Sequence, residues 1–299
     1  MTPGAMATTQ PIEPYSTLTL KDGRKLGYLD VGTANGPVVF HFHGHGSSRL
    51  EALTLAEAAV RDGVRVIAFD RPGIGYSDPR IGDRLLTWPA DIAEAADLLA
   101  IKRFAVQGMS AGGPYALACA HAFPDRVTAC SLVSAVPTPE IARRSGPLMR
   151  RVMWWIAYLF PNYLRRRLME FRPDGIPHEA MIRGRMMRIA QWLGGEDLRL
   201  VQVPEMLDLL TRTMMETGRQ GGAGNRSEIE RLVQPWGFDV REVAIPVFLF
   251  HGGEDRIMPV ELARRMARKL KNCVATFYET EGHFSGLVNR SHELMAALS

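Results

Sequence analysis

Phe104–Ala120 reads FAVQGMSAGGPYALACA, and this stretch decides the fold. A short apolar run ends at Gln107, and an Ala-rich segment with helical character begins about three residues later. Between them lies Gly108-Met109-Ser110-Ala111-Gly112, a G-x-S-x-G pattern. A strand that turns so sharply into a helix forces the central residue into strained backbone, and small flanking residues avoid a collision between the two elements. The Ser110 hydroxyl is thereby expected to stand clear of the sheet. The helix behind it aims free N–H groups and a positive dipole end toward any oxyanion that forms nearby.

Around this turn the chain alternates strands and helices. Two runs, YSTLTL and RKLGYLDVG, joined by Asp22-Gly23, predict a hairpin. PVVFHFH and VRVIAFD predict buried strands, with a helix over Glu51–Arg61 between them. Trp88–Leu99 predicts a helix with Pro89 in its first turn, RFAVQ a strand and VTACSLVSA another. After a long middle segment, PVFLFHG is a strand, Val260–Lys269 a helix, VATFYE a strand and Ser291–Leu298 a closing helix. Apolar strands alternating with helices imply a mostly parallel sheet covered on both faces, with its chemistry in loops after the carboxyl ends of the strands.

A serine nucleophile needs a base, and the base needs an orienting acid. On such a sheet these follow in the order serine, acid, histidine. FLFHGGEDRIMP carries Asp255 in the loop after one strand, and FYETEGHFSG carries His283 after the last. Asp255 is preferred to its neighbour Glu254 because it lies further into the loop, ahead of Arg256 and the turn-forming Pro259. Asp70 and Asp78 precede the serine and read as turn residues.

His41-Phe42-His43-Gly44-His45-Gly46 places three histidines on alternate positions. One strand face could present them to a metal, or the stretch could be a strand end running into a turn whose useful groups are backbone amides. No Asp, Glu or Cys accompanies them at a ligand-like spacing, which disfavours the metal. DRPGIGYS holds a G-x-G without the third glycine of a dinucleotide site and reads as a brace for its loop.

The middle segment has its own composition. Thr138–Pro235 contains sixteen Arg, no Lys and eleven acidic residues, whereas the remainder has twenty basic and twenty-one acidic residues. The whole positive excess of the chain therefore sits in one insertion. Within it, RRVMWWIAYLFPNYLRRR predicts an apolar helix bracketed by arginines. Its aromatic side is expected to roof a pocket; contact with a membrane surface is the second reading, and nucleic-acid binding is set aside because the arginines are scattered. Gly218–Ser227, GRQGGAGNRS, offers few packing side chains and is expected to be mobile. No eighteen-residue apolar run suggests a membrane span. Residues 1–14 look like a loose leader without a secretory signal, and Cys119, Cys130 and Cys273 read as reduced thiols, so a cytoplasmic location is expected.

With these motifs together, HGHG, FDRPGIGYSD, GMSAGG, HGGED and GHF, the chain resembles the α/β-hydrolase family over Ser16–Ser299. The resemblance implies an eight-stranded, mostly parallel sheet flanked by helices, with a helical cap inserted after the sixth strand. It divides the chain into a leader (1–14), a core (15–136 and 241–299) and the cap (137–240). It implies a triad of Ser110, Asp255 and His283, and an oxyanion hole built from the backbone N–H groups of His45 and Ala111. Met109, Trp154, Tyr158 and Phe284 are expected to line the substrate pocket, and a contact from the His45 ring to substrate is a further expectation. The expected reaction is hydrolysis of an ester with an apolar portion through an acyl-enzyme, with no metal and no organic cofactor. Carbon–carbon bond hydrolysis, N-terminal proline release, perhydrolysis and a non-catalytic small-molecule receptor remain as alternatives. Ser110 at the elbow, where epoxide hydrolases and dehalogenases carry Asp, argues against those two.

Overall fold

Asp22-Gly23 does make the first turn. Gly23 adopts φ +85°, and Asp22 accepts a hydrogen bond from the Arg24 amide at 3.1 Å, closing β1 (Ser16–Thr19) onto β2 (Lys25–Gly32). The computed structural model describes residues 16–146, 148–160, 179–221 and 223–299. The leader at 1–14, and the part of the aromatic, arginine-flanked stretch from 161 onward, lie outside the described residues.

Six further strands complete the sheet: β3 (Val38–Phe42), β4 (Arg65–Phe69), β5 (Phe104–Met109), β6 (Val127–Val133), β7 (Val247–Gly252) and β8 (Cys273–Tyr278). Their spatial order is β1-β2-β4-β3-β5-β6-β7-β8. β2 is antiparallel to both its neighbours, β1 and β4, and β3 to β8 are all parallel. Burial explains the sequence pattern: every residue of β5 is buried, as a strand covered on both faces must be.

One face packs on α2 (Trp88–Leu98), α3 (Gly112–Ala122) and α10 (Val260–Lys269), through Trp88, Ile92, Tyr115, Leu262 and Met266. The other packs on α1 (Ala56–Arg61) and α12 (Ser291–Ala296), through Ala58, Ala59, Leu294 and Met295. The short α11 (Ser285–Asn289) precedes α12. Between β6 and β7 the chain leaves the sheet to form α4 (Pro139–Arg144), α5 (Leu148–Leu159), α6 (Glu179–Leu193), α7 (Gly195–Gln202), α8 (Pro204–Thr217) and α9 (Ala223–Val233). These helices are the cap of an α/β-hydrolase fold.

Three local expectations need correction. The segment before α1 is a 3₁₀ turn over Arg49–Leu55, so the α-helix begins at Ala56 rather than Glu51. The closing helix stops at Ala296. Within Gly218–Ser227, residues 218–221 form a hydrogen-bonded turn and residues 223–227 are the first turns of α9, not a free loop. The Gln220 amide donates to the carbonyls of Gly75 and Ser77, and Asn225 and Glu228 are fully buried. A side chain at Gly224 would lie 2.4 Å from the Gly73 carbonyl oxygen. The glycine lets two backbones touch, so the absence of a side chain here serves packing. Cys119, Cys130 and Cys273 are free. Among the described residues no helix is long and apolar enough to cross a membrane.

Candidate active site

Ser110 sits between β5 and α3 with φ +50°, in the left-handed region that a non-glycine residue occupies only when its surroundings impose it. Its amide donates to Val133 at 2.8 Å, and its carbonyl accepts from Val136 at 2.9 Å. Close approaches hold the turn. A side chain at Gly112 would fall 1.9 Å from the Phe42 carbonyl oxygen, and one at Gly108 would fall 2.4 Å from the Gly112 backbone.

Asp255 and His283 arrive from the ends of β7 and β8, and all three side chains meet. Ser110 Oγ lies 3.1 Å from His283 Nε2, and His283 Nδ1 lies 2.8 Å from Asp255 Oδ2. The other carboxylate oxygen of Asp255 accepts the amides of Ile257 and Met258 at 2.8 and 2.7 Å, which fixes its plane. Burial disfavours the charged form of each partner, but each stabilises the other's charge. The Asp255 anion raises the His283 pKa above its usual 6.5. The histidine, His251 and the Met258 amide hold Asp255 below the ordinary carboxylate value despite burial. Glu254 does not reach the histidine's ring; its own amide donates to the Glu281 carbonyl.

The three opening histidines separate in space. His41 is buried, bridging Gln107 and Glu51 at 3.0 Å each. His43 donates from Nδ1 to the Gly44 carbonyl at 2.8 Å, and burial followed by the nearby Arg71 charge keeps it neutral, well below 6.5. The His45 ring is held at Nδ1 by Glu228, 2.7 Å away, and borders the cavity over Ser110. The Gly44 amide is taken by Glu51 at 3.1 Å. The amides of His45 and Ala111 have no acceptor among the described residues.

The cavity over Ser110 measures about 580 Å³, and its walls are mostly apolar. Met109, Trp154 and Phe284 line it, as do five further methionines. Tyr158 does not. It follows Ala157, a lining residue, by one position, which turns it about 100° around the helix. Its ring lies under the Arg143 guanidinium at 4.3 Å and edge-on to Trp155.

A family model of the alpha/beta hydrolase fold matches residues 37–289. The chain belongs to that family. This α/β-hydrolase is 28% identical to a non-heme chloroperoxidase of Streptomyces lividans, over 93% of this chain and 96% of that protein. It is 25% identical to a bifunctional esterase/perhydrolase of Acinetobacter calcoaceticus, over 85% and 88% of the two chains. A solved hydrolase of Pseudomonas aeruginosa superimposes with a TM-score of 0.70 at 16% identity, covering 96% of this chain and 97% of that one.

Several groups around the hydrolase site carry no signal in the sequence. Glu51 anchors the His41 ring and the Gly44 amide. Arg71, fully buried, donates to the carbonyls of His43 and Gly44 and pairs with Glu228 of the cap. Asp197, also from the cap, accepts three consecutive amides of the His283 loop. Arg71 and Asp197 act across more than twenty intervening residues and on backbone atoms, and Glu51 looks like an ordinary turn residue. No spacing rule finds such groups.

Proposed function

We propose that this enzyme is a serine hydrolase that cleaves carboxylic esters with an apolar portion through an acyl-enzyme. One observation carries the reading. Ser110, His283 and Asp255 form a continuous chain of 3.1 and 2.8 Å contacts at the floor of a largely apolar 580 Å³ cavity. The Ser110 hydroxyl gives its proton to His283 Nε2 as its oxygen attacks the ester carbonyl. Negative charge develops on the carbonyl oxygen, where the unengaged amides of His45 and Ala111 are suited to receive it; such a donor contributes about 3–4 kcal/mol. His283 then protonates the departing alkoxide as the carbon–oxygen bond breaks, leaving acyl-Ser110. Water gives a proton to the same imidazole and attacks the acyl carbon. The bond to Ser110 breaks, the proton returns to the serine oxygen, and a carboxylic acid leaves. Asp255 holds the ring tautomer with Nδ1 protonated and balances the imidazolium charge.

The test is labelling with a fluorophosphonate, with the adduct mapped by peptide mass spectrometry, followed by turnover of 4-nitrophenyl esters of increasing acyl length. Labelling is expected at Ser110, and Ser110→Ala should lower kcat by about 10⁶-fold. Until the cavity is filled, kcat/KM should rise by up to about fourfold per methylene, following about 0.8 kcal/mol of apolar burial for each. A protein that resists the probe, or keeps its esterase activity as the Ala variant, contradicts the proposal.

A further inference from the structure

The cap contributes more than a roof. Asp197 lies in the first turn of α7, only 1% exposed, and its carboxylate points down into the loop after β8. One oxygen accepts the His283 amide at 2.7 Å; the other accepts the amides of Phe284 and Ser285, both at 2.8 Å. The loop is shaped for this visitor. A side chain at Gly282 would sit 2.3 Å from the Asp197 carboxylate, so only glycine leaves it room. The position that would normally cap α11 from within its own sequence is Phe284, which has no side-chain acceptor. The acceptor comes instead from a residue 87 positions earlier, in a different layer of the molecule.

We propose that Asp197 is a positioning residue: by holding the backbone of residues 283–285 from the cap, it sets the distance between His283 Nε2 and Ser110 Oγ. This rests on the serine-hydrolase reading above. A carboxylate gripping three amides in sequence leaves the loop little rotational freedom, and the histidine's own amide is one of the three. A reacting group displaced by about 1 Å costs about 100-fold in rate. A second consequence is electrostatic. The charged or titratable groups around the imidazole are Asp255 and His251 from β7 and its loop, Glu51 from the 3₁₀ turn, and Asp197 from the cap. Burial disfavours the imidazolium, and Asp255, Asp197 and Glu51 oppose that effect.

The experiment compares wild type, Asp197→Asn and Asp197→Ala, each verified as folded by its thermal transition. Three readouts are taken: the second-order rate of fluorophosphonate labelling at Ser110, kcat and KM on a 4-nitrophenyl ester, and the acid limb of kcat/KM. In Asp197→Ala, labelling and kcat should both fall by about 100-fold while KM changes less than about threefold. Asp197→Asn keeps an acceptor oxygen and should recover much of that loss. Its acid limb should move to lower pH, because removing an anion lowers the His283 pKa. Should Asp197→Ala fail to fold, the Asn variant alone decides through its acid limb. Unchanged labelling in folded Asp197→Ala, or an unmoved acid limb in folded Asp197→Asn, overturns the positioning role while leaving Ser110 as nucleophile. Wild type that does not label at Ser110 overturns both.

Discussion

At the scale of single residues, the proposed chemistry depends on the protonation of His283. The ring must be neutral to accept the serine proton. Burial alone would keep it neutral to low pH, but Asp255 at 2.8 Å, with Asp197 and Glu51 beyond it, outweighs that and raises its pKa above 6.5. Activity should therefore be lost on acidification at a pH above 6.5, as the ring takes up a proton it cannot use. The measurement is kcat/KM against pH in constant ionic strength. A limb that falls only below pH 5 would assign the base to a carboxylate instead. Ser110 and its partners were legible in the sequence because each stands in a loop after a strand, flanked by glycines that the backbone needs. Gly112 is the clearest case: its missing side chain is what lets α3 start against Phe42. Asp197 was not legible. Its ligands are amides, and every residue has one. Tyr158 shows the opposite error, since an aromatic residue near a pocket is not in it unless its helical phase agrees.

Secondary elements divide in the same way. Val260–Lys269 was readable residue for residue, because one face is apolar, Pro259 precedes it and the pattern is local. Gly218–Ser227 was misread because what orders it lies about 150 residues away. The turn after β4 supplies carbonyls for Gln220 and a backbone surface for Gly224, and Arg71 supplies a charge for Glu228. Both members of that pair are fully buried. Burial pushes the Glu228 pKa up, but Arg71 and His45 pull it well below the usual carboxylate range, so the pair is ionised. Glu228→Gln would leave Arg71 charged and without a counter-ion, beside the carbonyls of His43 and Gly44. Its expected cost is about 3–5 kcal/mol of folding stability, the penalty for breaking a buried pair from one side. Urea denaturation should show a lower midpoint with an unchanged slope. A loss under 1 kcal/mol would mean that water reaches Arg71 and replaces the carboxylate.

For the whole molecule, the placement of charge matters more than its sum. The cap's acids do not all face solvent. Asp197, Glu216 and Glu228 are 1%, 7% and 0% exposed, each turned toward the core, where Arg49 meets Glu216 and Arg71 meets Glu228. Three of the insertion's eleven acids are thus spent on docking, which leaves its outer surface more basic than the composition implies. Arg185 and Arg188 stand exposed on α6 at the cavity, and neither has a carboxylate partner among the described residues. A positive field at the rim of an apolar opening concentrates anions there, and salt screens it: the Debye length falls from about 30 Å at 0.01 M to about 10 Å at 0.1 M. Two 4-nitrophenyl esters of equal length, one ending in a carboxylate and one in a methyl group, separate this effect from apolar binding. Raising the salt over that range should lower kcat/KM for the anionic ester by about fivefold and leave the neutral one nearly constant. In the double variant Arg185→Gln/Arg188→Gln the two salt curves should run parallel. Parallel curves already in the wild type would show that the arginines are solvated ornaments of the cap, and that the apolar wall alone selects the substrate.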